Sequence, residues 1–166
     1  MLTHSFNAME GFHHRKPGPV GAACQNGQIA LGLIADGVHI HPTMAVLLQK
    51  IAPEQLVLVS DALSPYGMQD GTYALDKRSV IAQRGTCRLV DGTLAGTTMP
   101  LFQGSCNLAM WSKNPSSAIW ASTLAPRKVL GNSKLVNEYL LGKPLKNLIR
   151  WKWIDDIKQL NWYRAV

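Results

Sequence analysis

The sequence is short of charge and of cysteine. Only 16% of its 166 residues are charged, against 46% hydrophobic, a balance that argues against a disordered tail or a coiled coil. Its three cysteines, Cys24, Cys87 and Cys106, are an odd number without pairwise motif spacing. That speaks against a disulfide framework and for a reduced, cytoplasmic thiol inventory. No apolar run reaches the roughly 18 residues of a bilayer crossing, and no basic stretch leads into an apolar one as in a secretory signal. The length fits one domain of about 100–200 residues.

The net charge of +7 suits an anionic partner: nucleic acid, an acidic membrane surface or a phosphorylated small molecule. The bases are scattered, however, with no block of five like charges. No RRM, KH or zinc-finger pattern accompanies them, so neither nucleic acid nor a membrane is expected as a partner.

All five histidines (4, 13, 14, 39 and 41) lie in the first quarter of the chain, around the loop-like Lys16-Pro-Gly-Pro19. Residues 29–35, Ile-Ala-Leu-Gly-Leu-Ile-Ala, form an apolar run without alternation, as in a strand covered on both faces. It ends abruptly at Asp36-Gly-Val-His39. Met44, Leu47, Leu48 and Ile51 have helical spacing. A second buried strand follows at 55–59, ending at Ser60-Asp61. Strand, helix, strand with polar residues at both carboxyl ends is the logic of βα units, which place their chemistry there.

From Gly71 the pattern predicts short antiparallel strands at 72–75, 79–84 and 86–90, then a small-residue loop over 91–98. Helices are expected at 100–111 and 115–124, with a short one near 126–130. The alternating apolar and basic residues at 147–154 predict a hairpin whose apolar face carries Ile149, Trp151 and Trp153.

Taken singly, His4, the His13-His14-Arg15 corner, Asp36-Gly-Val-His39 and Ser60-Asp61 read as structural as readily as functional. Together they set His, Asn, Arg and Asp at successive strand ends. That is the set a metal-assisted hydrolase acting on a phosphorylated substrate requires.

Five ordered motifs carry a resemblance: Thr3-His-Ser-Phe-Asn-Ala-Met9, His14-Arg-Lys-Pro-Gly18, Leu33-Ile-Ala-Asp-Gly-Val-His39, Leu56-Val-Leu-Val-Ser-Asp-Ala62 and Gly92-Thr-Leu-Ala-Gly96. They resemble the second half of the N-acetylglucosamine-6-phosphate deacetylases, members of the metal-dependent amidohydrolase superfamily. The resemblance implies an α/β fold: the C-terminal part of a (β/α)8 barrel over residues 1–134, with a β-hairpin insertion about 71–91. Residues 135–166 would then supply strands of a small β-sandwich, and the barrel would be incomplete. It further implies deacetylation of N-acetyl-D-glucosamine 6-phosphate to D-glucosamine 6-phosphate, with Asp61 catalytic and His4 a ligand of a divalent metal, zinc or iron. Asn7, Ala8, Arg15, Asp36, Gly37, Val38, His39, Leu94, Ala95 and Gly96 would bind substrate, Arg15 reaching its phosphate across a homodimer interface.

In the family, a glutamate and another histidine ligand lie upstream of the position matching His4, where this sequence has Met1, Leu2 and Thr3. The chain therefore reads as the C-terminal half of such an enzyme. The alternatives are a catalytically dead sugar-phosphate-binding fragment and another amidohydrolase. Dihydroorotase- and adenine-deaminase-like enzymes lack Phe-Asn-Ala-Met with an arginine eleven residues after the histidine.

Overall fold

In the computed structural model, which describes residues 1–132, 138 and 141–165, two buried strands form the centre. Strand β1 (Leu31–Leu33) and strand β2 (Leu56–Leu58) pair in parallel, Leu31 opposite Leu56 and Leu33 opposite Leu58. Leu2 bridges Leu31 on the other side, also in parallel. The ladder is shorter than the apolar run from residue 29 suggests. Ile29 stays 38% exposed, while Ile34 and Ala35 remain buried beyond the last paired residue. Each fully buried Leu or Ile here contributes about 1.5–3 kcal/mol.

Helix α1 (Gly18–Asn26) leads into β1, and helix α2 (Pro42–Ile51) joins β1 to β2. Pro42 suits the first turn of α2, because its missing N–H would lack a helical partner anyway. The His41 Nδ1 caps that turn, accepting from the Thr43 N–H at 3.2 Å. The buried face of α2 is Ala45, Leu48 and Gln49. Leu47 and Ile51, expected on it, point outward at 42% and 58% exposure.

Strands β3 (Gly71–Leu75), β4 (Arg78–Gln83), β5 (Thr86–Leu89) and β6 (Leu94–Thr97) form an antiparallel sheet in sequence order. Arg84 and Gly85 both adopt positive φ in the two-residue β4–β5 turn, which matches strand twist in tight hairpins. The loop expected over 91–98 is instead a turn followed by β6. A register shift between Cys87 and Arg88 lets Leu94–Thr97 pair with β5, and Asp91 closes the turn by accepting the Thr93 N–H at 2.9 Å. Thr97 also bridges Ala62 in parallel, tying this sheet to the end of β2.

Helices α3 (Leu101–Ser112) and α4 (Pro115–Val129) pack against each other and over β2. Asn114 caps α4, its Oδ1 accepting from the Ser117 N–H at 3.1 Å. The separate helix expected after residue 124 is part of α4, which runs on through Pro126. Proline removes one N–H, but Ala125 stays buried at 3% and the Leu130 N–H closes on the Pro126 carbonyl at 3.1 Å.

A short 3-10 turn (Leu145–Asn147) precedes the hairpin of β7 (Ile149–Ile154) and β8 (Gln159–Arg164). The register puts Trp151 opposite Trp162 and Trp153 opposite Leu160, so the expected apolar face exists. Trp151 and Trp153 pack on the core, whereas Ile149, opposite Arg164, is 56% exposed. The hairpin docks on α3 through buried Leu160, whose carbonyl accepts the Cys106 thiol at 3.1 Å, and through an edge-to-face contact of Trp162 with Phe102.

The described residues form no closed barrel; the parallel part is β1, β2 and the bridges at Leu2 and Ala62. The domain boundary expected at 134/135 lies outside the described residues.

Candidate active site

Parallel strands send their carboxyl ends to one side of a sheet, and side chains just beyond those ends can converge. His4 follows the bridging Leu2 by two residues. Asp36 and Asp61 each follow the last paired residue of their strand, Leu33 and Leu58, by three. His4, Asp36 and Asp61 thus leave three neighbouring strand positions on the same side.

The segment around His4 turns sharply. His4, Phe6 and Ala8 have φ of 32°, 76° and 53°, a region that costs a residue with a Cβ of order 1–3 kcal/mol and clusters at functional sites. The Ser5 N–H donates to the Gly32 carbonyl at 2.6 Å, the Asn7 N–H to the His4 carbonyl at 2.9 Å, and the Asn7 side chain to the Ser5 carbonyl at 3.3 Å. Gly32 permits the close pass, since a Cβ there would lie 3.3 Å from the His4 nitrogen. The His4 Nδ1 is buried without a hydrogen-bond partner. Ala8 is exposed, and Arg15 lies exposed on the following loop, where His13 Nδ1 accepts its N–H and the His13 and His14 rings stand 4.4 Å apart.

Asp36 and His39 form a closed unit. One carboxylate oxygen accepts the N–H groups of Val38 and His39 at 2.9 and 2.8 Å, and the other meets His39 Nδ1 at 2.6 Å. Both side chains are only 4% exposed. Burial, the largest single influence, pushes the Asp36 carboxyl up. The His39 hydrogen bond, the two backbone donors and the electrostatic pull of His39 together outweigh it and hold the carboxyl below its usual value. An ionised carboxylate only accepts, so Nδ1 carries the hydrogen and Nε2 is the remaining polar atom of the ring. Asp36 is spent on its own turn. Gly37, at φ 80°, and the half-exposed Val38 form the tip.

Asp61 is half-buried at φ 50°. Its carbonyl accepts the Thr97 N–H at 2.9 Å, which brings Leu94, Ala95 and Gly96 of β6 beside it. Gly96 has φ 154°, and a Cβ there would lie 2.8 Å from the Asp61 carbonyl oxygen. Only glycine tolerates both that conformation and that approach. The three residues expected to cover a ligand from a loop are strand residues: Leu94 and Gly96 pair with Arg88 and Cys87 of β5, and Ala95 is the extra residue at the register shift between them.

Two residues at this end carried no sequence signal. Thr97 is fully buried and clamps the Asp61 turn. Asn107 donates to the Ala35 carbonyl at 2.8 Å while accepting from Gln103, which anchors the chain just before Asp36. An inward-facing asparagine within a helix has no distinguishing pattern. A separate cavity of about 480 Å³, lined by Met1, Gln28, Gln55 and Lys128 among others, lies at the amino-terminal end of the strands, away from these groups.

A catalytic zinc site normally takes three protein ligands. Among the described residues no group of three or more His, Cys, Asp and Glu side chains is placed to share an ion. His4 offers a histidine nitrogen, but the donor set as it stands does not fit the metal.

No protein-family model matches the chain. Relatives do match. The N-acetylgalactosamine-6-phosphate deacetylase of Escherichia coli O157:H7 is 37% identical over 143 residues, which are 86% of this chain and 38% of that protein. A putative N-acetylgalactosamine-6-phosphate deacetylase of Escherichia coli K12 is 37% identical over 141 residues, 84% of each chain. Among solved structures, the N-acetylglucosamine-6-phosphate deacetylase of Thermotoga maritima superposes with a TM-score of 0.72 at 34% identity, over 78% of this chain and 36% of that one. An α/β chain with histidine and carboxylates at its parallel strand ends is thereby placed among hydrolases. It belongs to the family of N-acetylglucosamine- and N-acetylgalactosamine-6-phosphate deacetylases. It spans little more than a third of the length of the full-size relatives.

Proposed function

We propose that this chain carries the substrate-binding and proton-transfer half of an amino-sugar 6-phosphate deacetylase. The observation that supports it most is that His4, the Asp36–His39 unit and Asp61 each follow one of three neighbouring parallel strand positions, all at the same end. In this reading β1, β2 and their helices are units of the second half of a (β/α)8 barrel, residues 71–91 belong to an inserted sheet, and the β7–β8 hairpin belongs to a small β-sandwich.

The substrate is N-acetyl-D-glucosamine 6-phosphate. Arg15 offers a planar donor fork to the phosphate. His39, its Nδ1 held by Asp36, presents Nε2 to the sugar, and Asn7, Ala8, Gly37, Val38 and the β6 residues Leu94, Ala95 and Gly96 line its path. Asp61 takes a proton from the attacking water and delivers it to the departing amine, which is general acid–base work. In the family a divalent metal, zinc or iron, supplies a water ionised near neutral pH. The described residues give it one histidine, so no step through the metal is assigned to them. The intact enzyme of this reading is a cytoplasmic homodimer.

The poor donor set favours a second reading, in which the chain binds the sugar phosphate without hydrolysing it. Titration of the protein with N-acetylglucosamine 6-phosphate, alongside a coupled assay for released acetate, separates the two. Saturable binding with acetate release supports the deacetylase, and binding without release supports the binding module. Absence of binding, with unphosphorylated N-acetylglucosamine as control, removes both.

A further inference from the structure

We infer that Thr97 is the residue that positions Asp61, and that its hydroxyl holds the aspartate in its left-handed conformation. The inference rests on the proposed role of Asp61 for its functional meaning, but its geometry stands alone. Asp61 has φ of 50°, a conformation that a residue with a Cβ keeps only where its surroundings over-determine it. The surroundings here are one buried side chain and its backbone.

The direction of the Asp61 side chain depends on the two peptide planes that flank its Cα. The plane before it contains the Ser60 carbonyl, and the plane after it the Asp61 carbonyl. Thr97 Oγ1 donates to the first at 2.7 Å, and the Thr97 N–H donates to the second at 2.9 Å. With both planes held from one residue, φ and ψ of Asp61 are fixed together. The Thr97 carbonyl then accepts the Leu63 N–H at 2.9 Å, which fixes the chain as it leaves the turn.

Thr97 itself does not move freely. It is 0% exposed, it pairs with Thr86 in the β5–β6 ladder, and its Oγ1 accepts the Met99 N–H at 3.2 Å. The neighbouring Gly96 leaves room for the Asp61 carbonyl. The direction in which the Asp61 side chain leaves the backbone is therefore set by the antiparallel sheet as well as by the strand that carries it. A valine has nearly the same shape and keeps the backbone bonds but removes the hydroxyl, and with it both the bond to the Ser60 carbonyl and the one from the Met99 N–H, whereas a serine keeps the hydroxyl.

The test uses the full chain labelled for NMR, with Thr97→Val and Thr97→Ser variants. The expected result is that Thr97→Val retains a dispersed spectrum, loses the left-handed HN–Hα coupling of Asp61 and moves its carboxyl carbon resonance, while Thr97→Ser retains both. A Thr97→Val protein with the wild-type Asp61 coupling overturns the inference. Should Thr97→Val fail to fold, exchange of the Thr97 hydroxyl proton in the wild type decides. A slowly exchanging proton supports the bond, and exchange as fast as that of a surface threonine overturns it. Addition of N-acetylglucosamine 6-phosphate separates this inference from the site reading. If the ligand leaves the Asp61 carboxyl signal unmoved while Thr97→Val still shifts the coupling, the positioning role survives and the proposed site does not.

Discussion

The Asp36 carboxylate and the His39 imidazole meet at 2.6 Å with both side chains 4% exposed, so the histidine is oriented from within its own four-residue turn. Val38 and His39 add two backbone N–H donors to the same carboxylate. The bond gives His39 a fixed tautomer and one free nitrogen, which is what a residue must have to donate or accept at a defined place.

Replacement of Asp36 by Asn keeps the shape and removes the charge. It is expected to lower stability by about 1.5–3 kcal/mol, the usual worth of hydrogen bonds to a charged group. The pH dependence identifies the source. The folded carboxyl lies below its usual value, so its extra stability is full above the unfolded value of about 3.9 and is lost as pH falls through the folded value. Asp91 and Asp155, also held low, titrate in both proteins and cancel. Denaturant titrations between about pH 6 and about pH 3 should show the wild-type advantage shrinking with acid. An advantage that is constant across this range contradicts the assignment.

Arg15→Ala should weaken binding of N-acetylglucosamine 6-phosphate by about 10- to 100-fold, the equivalent of one charge-assisted hydrogen bond or pair. Binding of the unphosphorylated sugar should be unchanged. Calorimetric titration of both ligands checks this, and an equal loss for the two would place Arg15 away from the phosphate.

Asp61→Asn should leave affinity for the phosphorylated sugar largely intact. In a preparation that releases acetate, it should lower the rate by about 10²–10⁴-fold, the range for a general acid–base group. Acetate release at the wild-type rate would falsify the proton-transfer role.

Gly96→Ala combines an unsuitable φ of 154° with a Cβ placed 2.8 Å from the Asp61 carbonyl oxygen. A cost of about 1–3 kcal/mol follows for the conformation alone. The denaturation midpoint should fall accordingly, and Asp61 resonances should shift more than those of β7 and β8. A midpoint within error of the wild type would mean that the β2 end yields easily.

Much of the fold could be read from residue pattern. Apolar runs announced β1 and β2, turn residues separated β3, β4 and β5, and alternation marked the terminal hairpin. The misreadings share a cause: tertiary packing overrode a local signal. Leu-Ala-Gly-Thr looks like a loop because small residues suit loops, yet here small size lets β6 pass against the Asp61 carbonyl. Pro126 looks like a helix end, but α4 continues through it. At the site, order along the chain pointed to Asp36, His39 and Asp61. It did not show that Asp36 serves His39, or that Thr97 serves Asp61, because both depend on distances that only the folded backbone sets.

The burial of Cys87 within the antiparallel sheet has an experimental consequence. Burial pushes the thiols of Cys87 and Cys106 up, so the reactive thiolate is scarce in the native protein. Cys106 is partly buried, its thiol meeting the Leu160 carbonyl, whereas Cys87 is 0% exposed within the antiparallel sheet. The rate of alkylation at Cys87 therefore reports how often its cover opens. Cys87 times the opening of the sheet beside Asp61, with the more accessible Cys106 as an internal reference, in one experiment and with no label engineered into the chain.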